Sequence, residues 1–246
     1  MSPALIAALL LVMVATALLS GIFGMAGGLV LVGVLLTLLP VPDAMLLHGV
    51  TQAASNGWRA LLWRGHIRLR PILGFVAGCA LAMLVWSLWR YVPDKPVALL
   101  MLGITPFLVR AFPPRWKPDS ERPAQGVAYG GACMSLMLLT GVSGPLMDTF
   151  FLGGKLDRRE IVATKAACQL FCHAAKLLYI GALVEDAGTL DPLLAVLAVV
   201  ASMLGTTLAR PILERLSDGQ YRAWTWRIIT VIATYYVAHG TWLLLT

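Results

Sequence analysis

Eight apolar runs, each near or above the roughly 20 residues a helix needs to cross a bilayer, constrain this chain more than any other feature. They fall at about 4–39, 44–63, 71–89, 97–112, 125–152, 160–183, 192–209 and 223–245, with short connections between them. Inside lipid every backbone N–H and C=O must find a partner within its own structure, so spanning segments of this length are helices. The chain therefore reads as an all-α polytopic membrane protein with nothing left over for a soluble domain. Only 13% of its residues are charged, about half the share in a soluble domain. The formal net charge of +7 does not indicate nucleic acid. Most Lys and Arg residues sit in the short connections, where they set orientation. The first run reads as a membrane segment rather than a signal peptide. Ala15-Thr16-Ala17 imitates a cleavage site, but no Lys or Arg precedes the run and the run continues past it.

Two of the eight runs are too long. At 1.5 Å per residue the run 4–39 would reach about 54 Å, against a hydrocarbon core of about 30 Å. Its middle, Ser20 to Gly28, is dense in glycine, which weakens a helix. The run 125–152 is interrupted at Thr140-Gly141-Val142-Ser143-Gly144-Pro145, where proline removes a backbone donor. Gly21 and Gly24 match Gly141 and Gly144 in spacing, and each interruption precedes a polar helix. The second of these carries Thr164 to Lys176. The first carries a weaker copy at Thr51 to Ala60, in which Thr51 pairs with Thr164, Gln52 with Lys165 and Asn56 with Gln169. The order broken segment, polar helix, two plain helices occurs twice. Residues 1–112 form a first repeat and 125–246 a second, joined by the polar hinge 113–124.

Loop charge suggests how the repeats are related. If all eight segments cross once, Lys and Arg divide seven to eight between alternate connections. If the fifth segment enters and leaves on one side, the division becomes thirteen to two, and the positive-inside rule then chooses. The basic connections, 113–124 included, become cytoplasmic, and the acidic one carrying Glu185, Asp186 and Asp191 lies outside. The expected architecture is two inverted repeats of four segments, the first and fifth broken or re-entrant, with both termini on the periplasmic or extracellular side. Broken segments at matching positions point to a transporter's binding site.

The polar helices supply the candidate site. Lys165, Gln169, Cys172/His173 and Lys176 fall on one helical face, and charges at membrane depth are functional candidates by default. Lys165, Lys176 and Arg59 would offer positive charge to an anion. Gly24 and Gly144 would let half-helix N-termini approach an oxyanion closely. Thr51, Thr164, Gln52, Asn56, Gln169 and Ser143 could complete the hydrogen bonds. Each has a structural rival: Lys165 as an ion pair with Asp148 or Glu160, Arg59 as an interfacial residue between Trp58 and Trp63, the hydroxyls as helix-packing groups. His173, whose charge can change near neutral pH, and Asp148 are the candidates for a coupling proton, and the residues do not choose between them. His48, near a segment end, is a weaker one.

Gly-Val-Ser-Gly-Pro-Leu-Met-Asp-Thr-Phe-Phe-Leu at 141–152, Leu-Asp-Arg-Arg-Glu at 156–160, Val-Ala-Thr-Lys-Ala-Ala-Cys-Gln at 162–169 and His173/Lys176 resemble the second-repeat signature of the TauE/SafE family of sulfite and organosulfonate exporters. Gly21–Gly28 with Thr51-Gln52 and Asn56 is similar to that family's first-repeat signature. Met25-Ala26 interrupts the usual denser glycine run, and Gln52 and Asn56 stand where small hydroxyl residues are more common. The resemblance covers nearly the whole chain. It implies a two-repeat carrier in the cell (inner) membrane for a small sulfur-containing anion, working in export, with no cofactor. A homodimer is left open.

Two rivals belong to other classes. Asp148, Cys168, Cys172 and His173 could serve a cation or metal carrier, although intramembrane lysines oppose it. Gly141-Val142-Ser143-Gly144 has the Gly-x-Ser-Gly form of rhomboid intramembrane proteases, with His173 or His239 as base. Pro145 and the Phe23 at the matched first-repeat position weaken that reading.

Overall fold

The computed structural model describes residues 3–24, 26–89, 93–111, 118–152, 156–183 and 190–246. Met25 and the loop charges Arg90, Arg115, Lys117, Lys155, Glu185 and Asp186 lie outside them. The described residues form ten α-helices and one 3-10 turn, with no strand among them. The long first run becomes α1 (Pro3–Phe23) and α2 (Ala26–Leu38). Then come α3 (Val41–Leu62), the turn Arg64–His66, α4 (Leu69–Trp89) and α5 (Lys95–Ala111). The long fifth run becomes α6 (Pro123–Thr140) and α7 (Gly144–Leu152). The chain continues as α8 (Arg158–Leu183), α9 (Pro192–Arg215) and α10 (Asp218–Leu245).

Local chemistry explains the boundaries. α9 starts where the Asp191 carboxylate accepts from Leu193 N at 2.8 Å and Leu194 N at 3.4 Å, a side-chain N-cap. α10 starts with a capping box between Ser217 and Gln220. Two boundaries differ from the sequence expectation. α9 runs on through Pro211 to Arg215, so Arg210 and Arg215 lie on the helix rather than in a loop, where Arg210 pairs with Glu214 at 3.3 Å. α10 starts at Asp218, so Arg227 lies well inside it, with its guanidinium 5.3 Å from the Trp224 ring.

Polarity is inside out. Leu73, Leu88 and Leu245 are 72%, 77% and 81% exposed, while Lys165 and Lys176 are fully buried. Such a surface is stable only against hydrocarbon, and the chain is a multi-pass membrane protein. Among the described residues five helices, α1, α4, α8, α9 and α10, are long and apolar enough to cross. α2 and α5 are apolar but shorter, and α3 carries polar residues along its buried face.

The two polar helices, α3 and α8, pack against each other at the centre. Around them α1 packs on α9 and α4 on α6, while α5 packs on α10. Small residues let these backbones close up: a methyl on Gly205 would collide with the Val14 carbonyl of α1, and one on Gly130 with the Phe75 carbonyl of α4. α3 also touches α9, and α8 touches α4. Exchanging α1–α5 for α6–α10 therefore maps the α1–α9 contact onto α4–α6 and the α3–α9 contact onto α4–α8, and leaves the α3–α8 and α5–α10 contacts unchanged.

Candidate functional site

The site forms where the two helix breaks meet the α3/α8 pair. α1 ends at Phe23, and Gly24 turns the chain with φ +82°. α6 ends at Thr140, and Gly141 does the same with φ +79°. This left-handed conformation suits glycine and is a common way to end a helix. A helix C-terminus leaves carbonyls without partners, and at each break a buried cation supplies one.

At the first break Arg59 Nη1 donates to the Gly24 carbonyl at 3.4 Å and to Asn56 Oδ1 at 3.1 Å, and Nη2 donates to Ser55 Oγ at 3.3 Å. Ser55 Oγ shares a 2.8 Å hydrogen bond with Thr206 Oγ1 of α9, and Asn56 Nδ2 donates to the Gln52 carbonyl at 2.8 Å. Lys165, from α8, reaches across to the same place. A methyl on Gly24 would collide with Lys165 Nζ and lie 3.6 Å from the buried Tyr221 hydroxyl. Lys165 Nζ donates to Asp148 Oδ1 in a short, fully buried ion pair.

At the second break Lys176 Nζ donates to the Gly141 carbonyl at 3.3 Å and meets His48 Nδ1 at 2.9 Å. His48 Nε2 lies 3.0 Å from the Gly28 carbonyl of α2. The His173 ring stands edge-on to His48, with centroids 5.4 Å apart. Both cation-to-glycine bonds join residues 35 apart in sequence.

The expected residues are thus only partly brought together. Arg59, Lys165, Lys176, Gln52, Asn56, Gln169, Asp148, His173, Ser143, Gly24 and Gly144 are all buried. The interfacial reading of Arg59 does not hold: it is 1% exposed and bonded to the break. The partner of Lys165 is Asp148; Glu160 instead pairs with Arg68 at 3.5 Å. Two hydroxyls have other work. Thr164 Oγ1 accepts from Arg68 N at 3.0 Å, fixing the entry to α4, and Thr51 Oγ1 donates to the Leu47 carbonyl of its own helix at 2.7 Å. The half-helices expected after the breaks are present, α2 starting at Ala26 and α7 at Gly144. The Gly24 and Gly141 atoms in contact with the cations are carbonyl oxygens.

Among the described residues, Gln52 Nε2, Arg59 Nε, Ser143 Oγ, Gln169 Oε1, His173 Nδ1 and Asp148 Oδ2 are buried without a hydrogen-bond partner. Buried polar atoms are nearly always satisfied, and several of these lie on the residues that surround the breaks. Sequence reasoning undervalued His48 and missed Tyr221 and the Ser55–Thr206 bond. The spacing of His48, Gln52, Asn56 and Arg59 along one face of α3 could have found the first. The others depend on tertiary packing.

The rival constellations are dispersed. Asp148 faces Lys165, Cys172 Sγ lies 3.7 Å from Cys79 Sγ, and His173 faces His48. Among the described residues no three His, Cys, Asp or Glu side chains are grouped to hold a metal. His239 packs on Tyr235 and Trp242, and Ser143 Oγ has no histidine partner among the described residues.

Buried cations at paired helix breaks, inside a bundle with an apolar skirt, define a polytopic membrane transporter. The chain belongs to the sulfite exporter TauE/SafE family, whose model matches residues 9–236. Proteins of this family are membrane transporters, not enzymes. No curated protein and no solved structure matches the chain.

Proposed function

We propose that this protein is a secondary transporter that exports a small sulfur-containing anion, sulfite, a sulfonate or a close relative, across the cell (inner) membrane. One observation carries the reading. Among the described residues Arg59 and Lys165 are buried at the first break and Lys176 at the second, and the one buried carboxylate, Asp148, pairs with Lys165. A buried cation without a compensating charge is costly, and each break keeps one cation without a carboxylate partner among the described residues, Arg59 at the first and Lys176 at the second, which suits an anionic substrate. Arg59, Lys165 and Lys176 attract the anion. Gln52, Asn56, Gln169 and Ser143 hydrogen-bond it, with Gly24 and Gly144 shaping the breaks. Thr51 and Thr164 stand outside this set: Thr51 donates its hydroxyl proton to the Leu47 carbonyl, and Thr164 Oγ1 is held at the entry to α4 by Arg68 N. His173 and Asp148 are the sequence's candidates for a coupling proton.

The architecture we infer is two inverted repeats, α1–α5 and α6–α10, with both broken segments re-entrant and the termini outside. The exchangeable contact pattern supports the repeat, and the uneven loop charge supports the inversion. Reporter fusions that placed residues 153–159 outside would remove the inversion.

The test of function is flux of labelled sulfite and of a simple sulfonate in proteoliposomes, wild type beside Lys176→Ala and Lys165→Ala. Saturable flux that disappears in Lys176→Ala is expected. Equal flux in the lysine variants and the wild type would refute the site.

A further inference from the structure

We propose that His48, rather than His173 or Asp148, takes up the proton that accompanies the anion, and that Lys176 is the group that lets it do so. The inference rests on the anion-transport reading above.

Both ring nitrogens of His48 are engaged. The Gly28 carbonyl can only accept, so Nε2, 3.0 Å away, carries a proton and donates. Nδ1 is then the lone-pair nitrogen, and Lys176 Nζ stands 2.9 Å from it. That contact has room for one exchangeable proton. It is held by the amine as an ammonium donating to imidazole, or by the ring as an imidazolium donating to the amine. Two protons, one on each nitrogen, would set an N–H against an N–H at hydrogen-bond distance. His48 can therefore become an imidazolium beside a charged Lys176 only if Lys176 turns away.

An anion is the ligand that would turn it. When the Lys176 ammonium leaves His48 Nδ1 and the Gly141 carbonyl for a bound oxyanion, the Nδ1 lone pair is freed. A proton from solution can then add there, and the imidazolium gains the anion's charge nearby. Binding of anion and proton are thereby linked, and one carrier state holds both. Proton and anion cross in the same direction, and the unloaded carrier returns with the Lys176–His48 contact closed.

The surroundings of His48 do not offer a competing switch. On α8 it faces Lys176 and His173. On α2 it meets the Gly28 carbonyl. α1, which also touches α3, has no titratable side chain over Pro3–Phe23. α9 meets α3 through the hydroxyls of Thr206 and Thr207, and its charged residues, Arg210, Glu214 and Arg215, lie at its C-terminal end. On α3 itself Asp43 lies in the first turn, five residues before His48, and Arg59 is three helical turns away, engaged at Gly24. His173 lies three residues from Lys176 on α8, and its Nδ1 has no hydrogen-bond partner among the described residues; the nitrogen that shares a proton with the Lys176 amine is Nδ1 of His48.

The probe is methanesulfonate, which stays an anion from pH 5 to 9, so any proton counted belongs to the protein. Purified full-length protein in weakly buffered detergent receives methanesulfonate while a pH indicator reports proton uptake. Between the pH at which His48 titrates in the free carrier and the higher pH at which it titrates with anion bound, wild type is expected to take up about one proton per bound anion, with affinity weakening by up to about tenfold per pH unit across that range. His48→Gln, which keeps a donor for the Gly28 carbonyl, binds the anion without proton uptake and without that pH dependence. His173→Gln keeps both. Uptake that survives in His48→Gln, or is lost in His173→Gln alone, overturns the assignment. Should His48→Gln fail to fold, the wild-type measurement decides: anion bound with no proton, at an affinity flat in pH, overturns it while leaving the anion reading intact. Absence of any methanesulfonate or sulfite binding by folded wild type overturns the anion reading and this inference with it.

Discussion

The two helix breaks have the same backbone and different electrostatics. Each has a left-handed glycine whose carbonyl accepts from a buried cation 35 residues further on. At Gly24 the cations are Arg59 and Lys165, and the carboxylate of Asp148 offsets one of them. At Gly141 the cation is Lys176, and its contacts are neutral: a carbonyl and an imidazole nitrogen. A buried pair that loses one member leaves an uncompensated charge. The Gly24 cluster is therefore built to hold together. The Gly141 cluster keeps a cation without a carboxylate partner among the described residues, and on the proposed reading the anion completes it.

That contrast can be broken by substitution. The largest stability loss is expected for Asp148→Ala, about 3–5 kcal/mol, read by chemical or thermal unfolding in detergent. Asp148→Leu with Lys165→Met should recover most of it; a double variant as unstable as the single one would show that the pair is not the source. Next come Gly24→Ala and Gly141→Ala. An L-residue forced into positive φ costs about 1–3 kcal/mol, and each new methyl would collide with a side chain, Lys165 at Gly24 and Met45 at Gly141. Thr164→Val should cost about 1 kcal/mol, the worth of its hydrogen bond from Arg68 N, and leave flux in place. A flux loss there would restore Thr164 to the site. Smallest in stability is Lys176→Met, within about 1 kcal/mol of wild type, because removal of an uncompensated charge offsets the two contacts it made. Its anion flux should nevertheless fall to background. If Lys176→Met proved as destabilising as Asp148→Ala, the difference between the two breaks would disappear.

Much of the fold was legible because hydrocarbon imposes a simple rule. Apolar runs located the helix ends to within about three residues, except the end of α9 and the start of α10, and glycine density with Pro145 located both breaks. Among the described residues five helices reach spanning length and apolarity. The remaining expected segments depend on α3, α5 and the broken pairs, where polar stripes or short helices blur the hydropathy signal. In the site, the lysines and Arg59 were legible because charge at membrane depth is rare. Their partners were less so. Lys165 had two carboxylates in reach by sequence, and only packing of α7 on α8 selects Asp148. His48 lies early in α3, where hydropathy places it near an interface; the close approach of α2 and α8 buries it. Thr51 and Thr164 matched as repeats in sequence, yet their hydroxyls found backbone partners first.

The contacts at Gly24 and Gly141 also bear on how tightly this carrier can hold its cargo. Carbonyl oxygens, the Asp148 carboxylate and the His48 nitrogen act as resident placeholders on the three cations. On the anion-transport reading proposed above, an arriving anion does not meet bare charge; it exchanges with these internal ligands. Its affinity is the difference between two sets of contacts, and each 1.4 kcal/mol held by a placeholder weakens it about tenfold. Since most affinity tuning appears in the off-rate, the same placeholders speed departure: the returning carbonyl or imidazole displaces the anion, and the carrier leaves the far side of the membrane unloaded.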